Sequence, residues 1–172
     1  MSKGLVYIFT GNGKGKTTVA LGTALRAVGH GKKVAMVQWY KEKKWKIGEH
    51  NFKNKLFQIY PMGKGFYNLP TDNASNADHQ KAAQKAFQLA EKLLQEHLFL
   101  LVLDEILNAV HDKLTDLADL INLISKRGST HIILTGRNCP KELIDLVDLV
   151  TEMKNLKHPF QKGQKAIMGL DY

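Results

Sequence analysis

A doubly wound α/β fold, with a mostly parallel sheet and helices on both faces, is predicted by three observations along the 172 residues. Wholly apolar runs of β-forming residues recur at Leu5–Phe9, Val34–Val37, Phe99–Leu103 and Ile132–Leu134, as in strands covered on both sides. Helical periodicity fills much of the chain between them. Two of the runs end in chemically loaded turns: Thr10-Gly11-Asn12-Gly13-Lys14-Gly15-Lys16-Thr17-Thr18 after the first, and Asp104-Glu105 after Phe99–Leu103. In open sheets of this kind ligands sit beyond the carboxyl ends of the strands.

Each element has its own justification. Thr17–Val28 places Val19, Ala20, Ala24, Ala27 and Val28 at helical spacing and is closed by Gly29-His30-Gly31, so the first two apolar runs flank a βαβ unit. From Tyr40 to Gly65 the pattern dissolves into lysines, aromatics and glycines, with one further strand at Leu56–Tyr60. Leu69–Asp78 is polar and turn-rich. His79–His97 carries one apolar stripe (Ala82, Ala83, Ala86, Phe87, Ala90, Leu93, Leu94) and reads as a helix packed on the core. A second helix is expected over Lys113–Lys126, where Leu114, Leu117, Ala118, Ile121 and Ile124 share a face. Ile132–Leu134 runs into Thr135-Gly136-Arg137, and Pro140 suits the first turn of a short helix. Leu149–Met153 and Ala166–Met168 are expected as terminal strands. With no internal repeat and no Pro-rich linker, a single domain over residues 1–172 is the economical organisation.

Composition narrows the class of function. Hydrophobic residues at 44% and charged residues at 24% are globular proportions. No apolar run approaches the roughly 18 residues that cross a bilayer, and Met1-Ser2-Lys3 leads straight into a strand, so a cytoplasmic chain with no membrane partner is expected. The lone Cys139 cannot form an internal disulfide, and seven scattered histidines suggest no structural zinc. A net charge of +9 favours polyanions such as nucleotides, nucleic acids or polyphosphates. The excess is local, around Lys41–Lys55 and Lys154–Lys165, and each cluster reads equally well as solvated surface.

The glycine-rich turn ends in the Gly-Lys-Thr of a phosphate-binding loop at the start of a helix, with Thr10 standing where the usual pattern begins with Gly. Its glycines let backbone N–H groups face a phosphate, the helix N-terminus adds partial positive charge, Lys16 reaches phosphate oxygens, and the Thr17 hydroxyl suits Mg²⁺. Asp104 and Glu105, at the end of a buried strand, suit the same cation directly or through water. A nucleoside triphosphate is the expected ligand on a RecA-like P-loop NTPase fold. Arg26 and Arg137 are candidates for further phosphate charge; either also suits a surface salt bridge.

Beyond these signals the chain resembles, nearly end to end, the P-loop ATP:corrinoid adenosyltransferases that act on cob(I)alamin and cob(I)yrinic acid a,c-diamide. The resemblance rests on the loop Thr10–Thr18, Arg26-Ala27-Val28-Gly29-His30-Gly31, Val37-Gln38, Met62-Gly63-Lys64-Gly65-Phe66, Leu103-Asp104-Glu105, Thr135-Gly136-Arg137, Lys157-His158-Pro159 and Gly169-Leu170-Asp171-Tyr172. It implies transfer of the 5′-deoxyadenosyl group from ATP to the cobalt of a reduced Co(I) corrinoid, with release of inorganic triphosphate, in adenosylcobalamin biosynthesis or salvage.

The resemblance also implies ATP contacts at Asn12, Gly13, Lys14, Gly15, Lys16, Thr17, Thr18, Arg26 and Arg137, and Mg²⁺ (or Mn²⁺) held by Thr17, Asp104 and Glu105. It places Lys16, Thr17 and Glu105 at the reaction, and Phe66 and Met62 by the corrinoid; core packing is the other reading of Phe66. The corrinoid is cobalamin, cobinamide or a cobyrinic acid derivative, the reductant a flavin or flavoprotein, and the assembly a homodimer. Where relatives continue Gly-Phe with Thr-Trp this chain has Tyr67-Asn68, so Trp39, Tyr40, Trp45 or Tyr67 would have to complete the aromatic wall. Longer relatives carry an N-terminal extension, whereas this sequence opens on its first strand, so a corrinoid affinity or preference unlike theirs is expected. The competing reading is a nucleic-acid-dependent RecA-like ATPase, in which Trp39, Tyr40 and Trp45 amid lysines would stack on a single strand. Nucleic acid is the less favoured partner.

Overall fold

A computed structural model describes residues 2–172. Six strands form one all-parallel sheet: β1 (Val6–Thr10), β2 (Val34–Gln38), β3 (Phe57–Pro61), β4 (Leu100–Asp104), β5 (His131–Thr135) and β6 (Leu149–Glu152), in the order β3-β2-β4-β5-β1-β6. β2 and β4 are buried at every position, which is why both read as continuous apolar runs without alternation. Only β6 is exposed along its whole length, as befits an edge strand.

Helices cover both faces, unequally. On one face α1 (Lys16–Gly29) lays Ala20, Ala24 and Ala27 against Phe9, Met36, Val102 and Ile133. On the other, α2 (Asn76–Leu94), α3 (Ile106–His111), α4 (Leu117–Ser125) and α5 (Lys141–Ile144) enclose the larger core around Ile8, Val37, Leu101, Leu103 and Leu134. Successive strand residues alternate between the two clusters, as the period of two requires. The doubly wound α/β prediction therefore holds.

Four local expectations shift. α2 starts three residues early, because Ser75 and Asp78 cap it reciprocally: Asp78 N–H donates to Ser75 Oγ at 3.1 Å, and Ser75 N–H to Asp78 Oδ2 at 3.2 Å. The helix expected from Lys113 begins at Leu117, because Lys113 has φ of 58° and Asp116 provides the cap, accepting from Ala118 N–H at 2.6 Å. α3 has no visible signature in the sequence, because its six residues are too few to show a period. Ala166–Met168 is not a strand: Ile167 N–H donates to the Asp171 carboxylate at 2.7 Å, which closes a turn.

Candidate functional site

The carboxyl ends of β1, β2, β4 and β5 open into a cleft of about 980 Å³. The phosphate loop forms one wall. The Gly13 N–H donates to Met153 O at 2.7 Å, and a Cβ at Gly13 would lie 2.8 Å from the Met153 carbonyl, so the loop is clamped to the chain leaving β6. Lys14, Gly15, Lys16, Thr17 and Thr18 line the cleft, whereas Asn12 is exposed beside it and Gly13 is buried behind it. Lys16 Nζ curls back to donate to Gly11 O and Gly13 O, each at 2.7 Å. Burial, then the charge of Arg137, lowers the Lys16 pKa.

Beneath the loop lies a fully buried carboxylate, Asp104. Its Oδ1 accepts from Thr17 Oγ1 at 2.9 Å and Thr135 Oγ1 at 2.7 Å; its Oδ2 accepts from Gln38 Nε2 at 3.1 Å and lies 3.4 Å from Lys41 Nζ. Lys41 also donates to Glu49 Oε1 at 2.8 Å, and these two acids hold its ammonium charged despite its burial. The sequence leaves Lys41 in a cluster that suits either polyanions or solvated surface; in the fold it is the internal counter-ion of Asp104. Nothing local in the sequence distinguishes it from Lys43 or Lys44, because its partners lie on β4 and in the turn at Gly48–Asn51.

Glu105 follows in the left-handed region, with φ of 65°, its N–H donating to Thr135 Oγ1 at 2.9 Å. A non-glycine residue there is strained, and that turn aims the carboxyl into the cleft. Glu105 Oε2 is buried without a hydrogen-bond partner. Burial first, then the neighbouring Asp104, raises the Glu105 pKa to about 7. An orphaned buried carboxylate oxygen beside Thr17 and Asp104 fits a cation. Among the described residues no three His, Cys, Asp or Glu side chains gather closely enough to enclose a metal. A bound ion would therefore complete its shell with phosphate and water, the habit of Mg²⁺.

The far wall is aromatic. Gly63 crosses the Trp39–Tyr40 backbone so closely that a Cβ would sit 2.2 Å from Tyr40 C, and Gly65 N–H donates to Tyr40 O at 3.0 Å. That crossing presents Phe66, 48% exposed, with its ring 5.2 Å from Trp45. Core packing is thereby excluded as its role. Tyr67 takes part in the wall, and Tyr40 reaches the cleft from below, its hydroxyl donating to Asp112 Oδ2 at 2.6 Å. Burial and Asp112 raise the Tyr40 pKa strongly. Arg137 lies on the loop side of the cleft; its N–H donates to Asn108 Oδ1 at 2.6 Å.

Besides Asn12 and Gly13, which flank the cleft without lining it, Arg26 and Met62 are expected site residues that lie away from it. Arg26 sits in the last turns of α1, in a separate cavity of about 320 Å³ with Leu5, His30, Phe99 and His131 at the amino ends of the strands. Ten residues of helix place it roughly 15 Å from Lys16, so it does not reach the loop. Met62 packs half-buried against the main core and lies outside the cleft lining.

A phosphate-loop α/β nucleotide-binding protein is the class that this fold and cleft define. The sequence matches the family described as ATP:corrinoid adenosyltransferase BtuR/CobO/CobP over residues 2–172, and the chain belongs to that family. It is 40% identical over 176 residues to the corrinoid adenosyltransferase CobA of Salmonella typhimurium, covering 99% of this chain and 86% of the relative. It is 37% identical to the corrinoid adenosyltransferases of Escherichia coli K12 (99% and 86% covered) and of a Sinorhizobium species (99% and 81%). No helix among the described residues is long and apolar enough to cross a membrane.

Proposed function

We propose that this chain transfers the 5′-deoxyadenosyl group of ATP to the cobalt of a Co(I) corrinoid and releases inorganic triphosphate. One observation carries the reading: a phosphate loop with two lysines and a Trp45–Phe66 aromatic pair line one cleft. Both substrates thus have a surface of fitting chemistry within reach of one another.

In the reaction the electron pair of Co(I) forms the bond to ribose C5′, the C5′–O bond breaks, and its electrons leave on the α-phosphate oxygen. No phosphorus is attacked, so no base is needed to activate water. The work left to the protein is placement and stabilisation of charge on the leaving group. Lys14, Lys16, Arg137 and the N–H groups opening α1 surround the triphosphate; Gly13, whose N–H is taken by Met153, shapes the loop from behind. Both Asp104 oxygens are already occupied, whereas Thr17 Oγ1 retains a lone pair and Glu105 Oε2 is free. Thr17 and Glu105 are therefore the residues to hold Mg²⁺ or Mn²⁺ directly, with Asp104 orienting Thr17. The ion would supply positive charge to the departing phosphates. Phe66 and Trp45 offer an apolar, water-excluding face to the corrin ring.

The proposal includes an external flavin or flavoprotein reductant, since Co(II) must gain an electron to become the nucleophile. It also includes a homodimer, for which the open edge of β6, with Leu149 and Val150 exposed, offers a pairing surface. The nucleic-acid-dependent ATPase is not favoured: Trp39 and Tyr40, two of the three aromatics it needs for stacking, are each only 4% exposed. The decisive experiment is anaerobic incubation with ATP, Mg²⁺ and a chemically reduced corrinoid. Triphosphate together with a light-sensitive alkylated corrinoid is expected. Orthophosphate with ADP and no alkylated product would refute the reading.

A further inference from the structure

Both lysines of the phosphate loop are engaged by oxygens of the protein itself. Lys16 is held by two loop carbonyls, and Lys14 Nζ is ion-paired with Asp171 and also donates to Leu170 O at 3.4 Å. Asp171 lies in a closing turn with Ile167 N–H on its Oδ2 at 2.7 Å and Gly169 N–H on Tyr172 O at 2.8 Å. Ile167, Met168 and Leu170 are exposed, so the turn has little packing of its own. It nevertheless reaches across the cleft: one side rests on Lys14, and a Cβ at Gly48, which stands between Ile47 and Glu49 of the lining, would lie 3.8 Å from the Tyr172 backbone. Ala166, Asp171 and Tyr172 all contribute to the lining.

We propose that Asp171 sets how readily the site lets go of triphosphate, its carboxylate competing with phosphate oxygens for Lys14. The inference rests on the reading that this loop holds the triphosphate of ATP and then the free product. Once the C5′–O bond breaks, a polyanion remains in a loop built to hold phosphate, with no nucleoside left to pull it away. A carboxylate tethered beside Lys14 takes over the ammonium as phosphate oxygens withdraw, and it opposes rebinding. With triphosphate in place, repulsion between the two anions detaches the turn from Lys14. Asp171 touches no reacting atom in this scheme; it acts through Lys14.

The test is calorimetric titration of inorganic tripolyphosphate into the protein and its Asp171→Asn variant. Asparagine keeps the acceptor that Ile167 N–H uses and loses only the charge. The variant should bind about two- to fivefold more tightly, the range of a partly exposed ion pair. The difference should shrink in ~1 M salt and vanish in a Lys14→Gln background. In the unsubstituted protein, tripolyphosphate should speed hydrogen exchange at the amides of Ile167–Asp171. Equal or weaker binding by Asp171→Asn, or slower exchange in that turn, overturns the role of Asp171. Equal binding would leave the loop's phosphate role standing, whereas no binding to either protein would remove both.

Discussion

Thr17 Oγ1 donates to Asp104 Oδ1 at 2.9 Å, joining residues 87 positions apart: the first turn of α1 and the last residue of β4. The bond orients the hydroxyl so that its lone pair faces the cleft, while Asp104 stays buried and fully partnered. Thr17→Ala removes both the bond and the oxygen, and adenosylation should fall by about 100-fold. Thr17→Ser restores both and should recover most of it. The check is kcat/KM across a Mg²⁺ titration; equal loss in both variants would deny the hydroxyl its role.

Lys16 bonds only loop carbonyls and packs into no core cluster. Lys16→Ala should therefore leave cooperative urea unfolding within about 1 kcal/mol while cutting turnover by at least about 100-fold. Retained turnover would exclude the proposed phosphate contact.

Phe66 is half exposed, so Phe66→Ala should cost under about 1 kcal/mol of stability. Its apolar ring would keep water and other donors off the corrinoid face it covers, so the variant should slow reaction from Co(II) corrinoid more than from pre-reduced Co(I). Stopped assays with both starting states check this, and equal slowing would reduce Phe66 to a general wall residue.

Glu105 gives the ligand-free chain a pH signature. Its carboxyl titrates near 7 when folded, against an ordinary 4.5. Between those values the unfolded chain releases a proton that the folded chain retains, so this group's contribution to stability falls as pH rises and is fully lost above about 7. Glu105→Gln should accordingly match the unsubstituted protein near pH 4.5 and exceed it at pH 8 by on the order of 3 kcal/mol. Thermal melts without metal or nucleotide measure the difference.

Lys41 is the charged partner of a carboxylate with no exposure at all. Lys41→Met should destabilise the fold by roughly 3 kcal/mol, the cost of leaving a buried charge unpaired. Lys41→Arg, which keeps the cation, should lose less; equal losses would make packing rather than charge the reason for lysine here.

Read alone, the chain's order of residues determined the βαβ start, the buried strands, the phosphate loop and the acid pair, because each is written in contiguous residues whose chemistry and spacing need no distant partner. Tertiary structure decided the rest. It buried Lys41 against Asp104, turned Phe66 outward beside Trp45, and laid Asp171 on Lys14. Each of those outcomes depends on which strand ends become neighbours in the order β3-β2-β4-β5-β1-β6 and on where the connecting loops cross, and no local pattern encodes either.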